Sequence, residues 1–556
     1  MFKIKIDGLD VVAHDGETIL EVASRAKILI PTLCYLKEFE ATSNCRICLV
    51  EVVGQKNLVT ACSFKVFDGM EVLTKTEKVL SARKLNLELL LSNHNYDCKN
   101  CVRQGRCDLA VLAKEYGATG KLFLGTESDS QVDNSSPCVV RDNSKCILCK
   151  KCVQVCSKMQ AVNAIATTKR GFNTQISSAF NKGLEDSSCV GCGQCIMVCP
   201  TGALHESFNI IELEKILNDK TKHKIVASAP AVRVAIAEAL GISPKEAENL
   251  IPAVLKAIGF DKVFDINFGA DLTVLEESNE FLERFKLKKN LPLFTSCCPA
   301  WVDFVSKFYP EFNKNVSSCK SPLMMFGAVA KTYYAEKVNV DAKNISVVSV
   351  MPCTAKKKER IPKADQADVD CVITVRELLY IIRKKKIDIK KLQPTRFDSL
   401  LGESSGAGVI FGASGGVMEA ALRTLADRLT NKDLTEIEYT SARGLDGVKL
   451  ATINIDKMKI NIAVVGGLNN AKMLLEKIKN KELNLHFVEV MSCPGGCING
   501  GGMPRIPREC YLPIRAKGLY DLDGSRKVRK AHQNKEVLDF ISWQEKSKTQ
   551  AQLHTR

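Results

Sequence analysis

No run of about 18 uninterrupted apolar residues occurs in this sequence, so a membrane span is not expected. The opening residues Met1-Phe2-Lys3-Ile4-Lys5-Ile6 lack the charged segment and apolar stretch of a secretory signal and read as a strand. A small secreted disulfide scaffold is thereby excluded and a reducing compartment is expected, the cytoplasm by default or an organelle. The glycine-rich stretches lack the G-x4-G-K-[ST] order of a phosphate cradle. No nicotinamide or flavin motif is evident, so direct use of a nicotinamide would need partner subunits.

What is abundant is cysteine, 24 in 556 residues, mostly clustered as C-x-x-C, a pattern that points to metal rather than disulfides. At 45% hydrophobic residues the chain is long enough for several domains, each with a core. The formal charge of +16 would alone suggest nucleic acid or an acidic partner. A cluster held by four thiolates carries roughly −2, so several of them would offset much of that charge, and nucleic acid is not expected.

The first 75 or so residues hold strand-like runs at Phe2–Ile6 and Glu71–Leu73 and a helical segment at 18–23. Among them fall Cys34, Cys45, Cys48 and Cys62, an arrangement similar to a 2Fe-2S ferredoxin although Cys34 to Cys45 exceeds the plant C-x4-C spacing. A tetrahedral zinc site is the alternative. A helix-like stretch, 79–92, leads to His94-x3-Cys98-x2-Cys101-x5-Cys107, where an imidazole in place of one thiolate would make a cluster less negative, or the histidine would serve only as a cap or surface group. Next comes Cys146-x2-Cys149-x2-Cys152-x3-Cys156, repeated as Cys189-x2-Cys192-x2-Cys195-x3-Cys199. Each such run gives three ligands to one 4Fe-4S cube and its fourth to the other. The expected sets are Cys146, Cys149, Cys152 with Cys199, and Cys189, Cys192, Cys195 with Cys156. Linkers are expected at 117–136 and, lysine-rich and polar, at 215–224.

From about residue 224, apolar runs at 225–227, 345–350, 462–465 and 487–491 alternate with helical periodicity at 246–258, 418–428 and 471–479. This argues for α/β architecture, in which reactive groups collect in loops beyond the strand C-termini. Cys298, Cys353, Cys493 and Cys497 follow such strands, and four thiolates suit a 4Fe-4S cube. The glycines from Gly495 to Gly502 would let the backbone pass close to a bulky group. Glu277, Glu280 and Arg284, three and four apart, share a helix face that would ordinarily be a solvated charged row. Cys138, Cys319, Cys371 and Cys510 fit no ligand motif and read as packing residues or free thiols.

The segments Thr295-Ser296-Cys297-Cys298-Pro299, Met351-Pro352-Cys353-Thr354-Ala355-Lys356-Lys357-Lys358-Glu359 and Glu489-x-Met491-Ser492-Cys493-Pro494-Gly495-Gly496-Cys497-x2-Gly500-Gly501-Gly502 resemble the three signatures of the FeFe hydrogenases. The order of cluster motifs resembles the large monomeric members along nearly the whole chain. The resemblance implies an N-terminal β-grasp ferredoxin-like domain (1–78), a small helical cluster domain (79–118), a bacterial-type two-cluster ferredoxin domain (137–208) and a large α/β catalytic domain (220–556), a multidomain α/β and α+β chain. It implies one 2Fe-2S cluster, three accessory 4Fe-4S clusters and an H-cluster, a 4Fe-4S cube joined through Cys497 to a diiron unit bearing CO, cyanide and a bridging dithiolate amine. Cys297 would relay protons along a path through Glu277, Ser317, Glu280 and Arg284. Lys356 would bind a cyanide, unless it belongs to a surface run with Lys357 and Lys358. Met351 and Met491 would line the site or simply pack in the core, and the amides around Ala229 and Pro230 would face the other cyanide. Two departures from the family pattern are Ala231, without a hydroxyl, and Leu323, where glutamine is common.

The activity implied is interconversion of two protons and two electrons with H2. The partners implied are ferredoxin or a similar carrier and the hydrogenase maturation machinery, and further electron-transfer subunits are compatible with the chain. A competing reading, an electron-transfer subunit of an NADH-oxidising complex, gives no reason for Cys298, Cys353, Cys493 and Cys497. An iron-sulfur assembly or H2-sensing relative would lack parts of the relay or carry an added signalling domain, for which residues 511–556 are too short.

Overall fold

The computed structural model describes residues 1–123, 125, 126, 128, 130–361, 367–456, 458–505, 508–547 and 550–555, apart from the side chains of 508–510. The Cys510 thiol therefore lies outside the described residues, as do Leu124, Glu127 and Asp129 of the first expected linker. The chain forms two compact units, one of residues 1–158, 163–187 and 195–205, the other of 159–162, 188–194 and 206–556.

In the first unit, β1 (Phe2–Ile6), β2 (Leu9–Ala13), β3 (Leu49–Val52), β4 (Val59–Thr60) and β5 (Glu71–Leu73) form a mixed sheet in the order β2-β1-β5-β3-β4. Ile4 and Ile6 alternate with exposed lysines along β1 and pack with Val50, Val52 and Val72 against Ile19, Val22 and Ala23 of the helix Ile19–Arg25. Thr18 starts that helix through a capping box, its hydroxyl accepting the Glu21 N–H while Glu21 accepts the Thr18 N–H at 2.7 Å. The helix Glu77–Ser92 packs Leu87 and Leu91 against Leu109 and Ala113 of the helix Asp108–Tyr116. Five short strands follow: β6 (Val132–Asp133), β7 (Val139–Asp142), β8 (Ala166–Thr168), β9 (Gln175–Ser177) and β10 (Leu204–Glu206).

In the second unit, β11 (His223–Ser228), β12 (Lys262–Asp265), β14 (Ile345–Met351) and β15 (Cys371–Thr374) form an all-parallel sheet in the order β12-β11-β14-β15. β14 is buried at every residue, as a parallel strand covered on both faces must be. A second sheet joins β13 (Leu293–Phe294), β18 (Phe487–Met491), β17 (Met458–Gly466) and β16 (Val448–Ile455), parallel except for the antiparallel edge β16. The helices expected at 246–258, 418–428 and 471–479 are found as Pro244–Ile258, Gly416–Thr430 and Leu468–Lys479.

The expected linker 215–224 is corrected: a helix, Ile210–Asn218, occupies its first part and β11 its end, because Ile210, Leu213 and Leu217 recur at helical spacing. The linker at 117–136 is shortened likewise by β6. Among the described residues no helix is long and apolar enough to cross a membrane.

Candidate active site

The loops after β13, β14 and β18 bring Cys298, Cys353, Cys493 and Cys497 together from both sheets of the second unit. Cys298 occupies the N-cap position of the helix Pro299–Phe308, and its thiol lies 3.4 Å from the Ser492 hydroxyl. Cys493 Sγ accepts the Gln194 side-chain N–H at 3.1 Å. Burial pushes the Cys353 thiol up to about 11, with Cys298 adding to the rise and Lys356 opposing it. Cys493 and Cys497 are driven further up by burial and then by Cys353 and Cys298. The raised thiols of Cys353, Cys493 and Cys497 are relieved when cationic iron takes them as thiolates, so with Cys298 beside them the donor set fits a cluster. The hydroxyls of Ser228 and Ser321, each buried without a hydrogen-bond partner, precede the Ala229-Pro230 and Pro322-Leu323 segments and also fit an absent polar group. Met351 and Met491 end β14 and β18 and are buried, as are Ala229, Pro230 and Leu323.

Cys297, next to Cys298 in the chain, lies within electrostatic reach of Glu277 on the helix Asn267–Leu287. Its thiol is held well above its ordinary value by burial and by Glu277. Glu277 is 1% exposed, accepts the Ser296 N–H at 3.1 Å and is hydrogen-bonded to Ser317. The Ser317 hydroxyl donates to Glu280 at 2.6 Å, and Arg284 donates to Glu280 at 2.5 Å. This row is thus not a solvated face: Glu277, Ser317, Glu280 and Arg284 run hydrogen-bonded outward, with the Cys297 thiol within electrostatic reach of Glu277. Arg284 is fixed by the carbonyls of Lys314 and Asn315, each at 3.2 Å. Burial pushes the Glu277 carboxyl up to about 7; the Ser296 amide opposes this and Glu280 adds to it.

Lys356 and Lys357 are not a surface run. Lys356 is 5% exposed and donates to the Cys297 carbonyl at 3.1 Å and to Glu359 at 2.7 Å. Burial alone would lower its pKa, but Glu359, Cys353 and Cys297 together raise it, so it stays a cation beside the thiols. Lys357 pairs with buried Glu377 at 2.7 Å and braces the loop from below. The glycines have a nearer neighbour than a cofactor. A Cβ on Gly500 would strike the Pro352 carbonyl, one on Gly501 would sit 2.5 Å from the Cys192 oxygen, and one on Gly496 would sit 2.6 Å from the Ser414 nitrogen.

In the first unit the thiols pair as Cys34 with Cys45 and Cys48 with Cys62, two per iron if two irons are bound. Cys34 is lowered to about 5 by the Cys45 thiol and Cys62 to about 7 by that of Cys48. Among the described residues no group of three or more His, Cys, Asp or Glu converges on a single-ion geometry. His94 has a buried Nδ1 with no partner, and burial drops its pKa to about 4, so it is a neutral base available for ligation. Cys101 lies within electrostatic reach of both Cys98 and Cys107, the latter at the N-cap of the helix Asp108–Tyr116. One pocket is lined by Cys146, Cys149, Cys152 and Cys199, the set expected for the first cube. Of the other set, Cys156 and Cys195 belong to the first unit and Cys189 and Cys192 to the second.

The family model for the iron-only hydrogenase large subunit, C-terminal domain, matches residues 222–501, just over half of the chain. The chain belongs to the iron-only (FeFe) hydrogenase family. This hydrogenase is an oxidoreductase acting on H2 with accessory iron-sulfur domains for electron relay. Residues 1–77 match a 2Fe-2S iron-sulfur cluster binding domain, 83–121 an NADH-ubiquinone oxidoreductase-G iron-sulfur binding region, and 145–203 a 4Fe-4S dicluster domain. It is 41% identical to the NADP-reducing hydrogenase subunit HndD of Solidesulfovibrio fructosivorans, over 97% of this chain and 95% of that one. Against iron hydrogenase 1 of Clostridium pasteurianum it is 40% identical over 96% and 95%. Its structure resembles the apo FeFe hydrogenase HydA1 of Chlamydomonas reinhardtii with a TM-score of 0.53 and 37% identity, covering 59% of this chain and 93% of that one.

Sequence reasoning missed several residues at this hydrogenase site. Glu489, fully buried on β18, accepts the Gly415 and Met418 N–H groups at 2.7 Å each and so fixes the strand to the N-terminus of the helix Gly416–Thr430. Its place in the third signature was the available signal. Gln194, whose other acceptor is the Asn499 carbonyl at 2.8 Å, and His554 carry none, since their contacts join positions hundreds of residues apart.

Proposed function

We propose that this hydrogenase interconverts protons, electrons and H2 at an H-cluster held by Cys298, Cys353, Cys493 and Cys497, with protons carried by Cys297, Glu277, Ser317 and Glu280 and with Arg284 holding the Glu280 carboxylate in place. The observation that carries the reading is the meeting of four cysteine thiols with Cys297, which lies within electrostatic reach of the hydrogen-bonded row Glu277, Ser317, Glu280 and Arg284. When bound, the diiron unit supplies the iron at which H2 is formed or split and an amine that exchanges the proton. Cys297 holds a proton on a thiol that burial keeps neutral, and Glu277, poised near neutrality, takes it and returns it. Ser317 passes it to Glu280 by donating one proton and accepting another. Lys356, a buried ammonium beside the thiols, would bind an anionic cyanide of the diiron unit, and the buried Ala229, Pro230, Met351 and Met491 would line it.

Electrons enter through Cys34, Cys45, Cys48 and Cys62 as a 2Fe-2S site in a β-grasp domain (1–78). They continue through His94, Cys98, Cys101 and Cys107 (79–118) and the two cubes of 137–208 to the catalytic domain, 220–556. A ferredoxin-type carrier is the proposed donor, in the cytoplasm or a hydrogen-producing organelle. The similarity to a named hydrogenase subunit favours a second arrangement, in which partner subunits deliver nicotinamide-derived electrons; co-purification of partners that confer NADPH-dependent H2 evolution would establish it.

The test is anaerobic maturation with a supplied diiron cofactor, followed by H2 evolution from reduced viologen and infrared detection of CO and cyanide bands. Absent bands would refute the H-cluster assignment. Cys297→Ala should keep the bands and lose most turnover, by roughly 10²-fold or more if the thiol is an obligatory proton donor.

A further inference from the structure

We infer that His554, in the C-terminal tail, is the proton-exchange residue at the outer mouth of the relay, passing protons between solvent and Glu280 while Glu276 orients its imidazole. The inference rests on the relay proposed above. Arg284, the last residue of that row, cannot exchange the proton: a guanidinium does not give up its proton in a protein, and this one is tied to Glu280 and to the carbonyls of Asn290, Lys314, Asn315 and Val316. A relay that ended there would have no group to exchange with water.

The tail supplies one. Lys320 donates its N–H to the Leu553 carbonyl at 2.8 Å and Thr555 donates to the Ser318 carbonyl at 2.9 Å, so His554 lies opposite Cys319 in an antiparallel bridge. Upstream, the Gln544 side chain clamps both backbone groups of Ala551, at 2.9 and 3.0 Å, and Leu553 is buried. Backbone pairing therefore sets the position of residue 554. Both ring nitrogens are engaged: Nδ1 lies 2.8 Å from the Ser318 hydroxyl and Nε2 lies 3.3 Å from Glu276. The Ser318 N–H reaches both Glu280 oxygens at 3.1 Å, and the Cys319 thiol stands between Glu280 at 3.8 Å and His554 Nδ1 at 4.0 Å.

All of this opens on a vestibule of about 460 Å³ lined by Glu276, Glu280, Glu283, Arg284, Ser318 and His554, with room for several waters. The charged groups around the ring are Glu276, Glu280, Glu283 and Arg284 from the long helix, then Lys289, Arg428 beside Glu276, and Lys320, which is paired with Asp368. An imidazole accepts on one nitrogen while donating from the other. A proton from solvent forms one N–H bond as the other N–H breaks, its proton passing through vestibule water to Glu280. No electron moves, and H2 oxidation runs the same steps in reverse.

The holoenzyme tests this with His554→Gln, His554→Ala and, as a control, Cys297→Ala. His554→Gln should retain the infrared bands and the KM for viologen while its kcat falls roughly 3- to 10-fold, less than the roughly 10²- to 10⁴-fold of a full acid–base step, with an altered pH–rate profile. Added imidazole should restore His554→Ala. Independently of turnover, the His554 NMR signal should respond to Glu276→Gln; a signal blind to it would remove the orienting role. A parental kcat and pH profile in His554→Gln, or no rescue of His554→Ala, would overturn the inference if Cys297→Ala is inactive. An active Cys297→Ala would instead refute the relay itself.

Discussion

Glu277 shows how one carboxyl can tie stability to catalysis. Burial raises it from 4.5 to about 7, so the folded chain holds this proton more tightly than the unfolded chain does. Its contribution to stability is therefore complete below pH about 4.5 and is lost as pH rises through about 7. Glu277→Gln removes that loss: the thermal midpoint of the variant relative to the parent should climb between about pH 5 and 8. H2 evolution should fall by roughly 10²-fold or more, because an amide cannot take up and return the proton. A flat difference in midpoint across that range would contradict the burial argument. Glu489 is also raised to about 7 by burial, but it is spent on backbone amides and belongs to the support of the ligand loop. No spacing rule separates these two buried carboxylates; their partners do.

At the scale of elements, the glycine-rich loop after β18 is shaped by the backbones it must pass. Gly500 has an ordinary φ of −61°, so conformational freedom is not what requires glycine there. The Pro352 carbonyl leaves no space for a Cβ, and Pro352 precedes Cys353. Gly500→Ala should push apart the loops of Cys353 and Cys497, costing about 1–3 kcal/mol, with less iron bound per chain; parental iron content and melting would refute this. In the doubled cysteine runs, by contrast, conformation decides. Gly191 and Gly193 take φ of +67° and +69°, and at the matching positions Leu148 and Lys150 take 52° and 60°, a fold the first run keeps despite the strain of a Cβ. The helix Pro244–Ile258 starts two residues before the expected 246, where Ser243 and Glu246 form a capping box that periodicity alone does not reveal. The helix Ile210–Asn218 was hidden because the expected linker began at Lys215, past its buried Leu213.

For the whole molecule, the charge of +16 suits an acidic carrier, since complementary charge speeds encounter. Raising ionic strength should slow H2 evolution with reduced ferredoxin several-fold while leaving viologen-driven turnover unchanged; indifference to salt would refute electrostatic docking. The sequence by itself determined the inventory of candidates: the C-x-x-C runs stand out by local spacing, and the apolar strand before each signature marks where its loop begins. Tertiary structure decided what those groups meet. Two sheets rather than one bring Cys298, Cys353 and Cys493 together; burial sets the protonation of Glu277; and the pairing of the C-terminal tail with 318–320 puts His554 beside Ser318. Proximity across 236 positions of sequence leaves no periodic trace, since it arises from packing and backbone pairing that only the folded chain supplies.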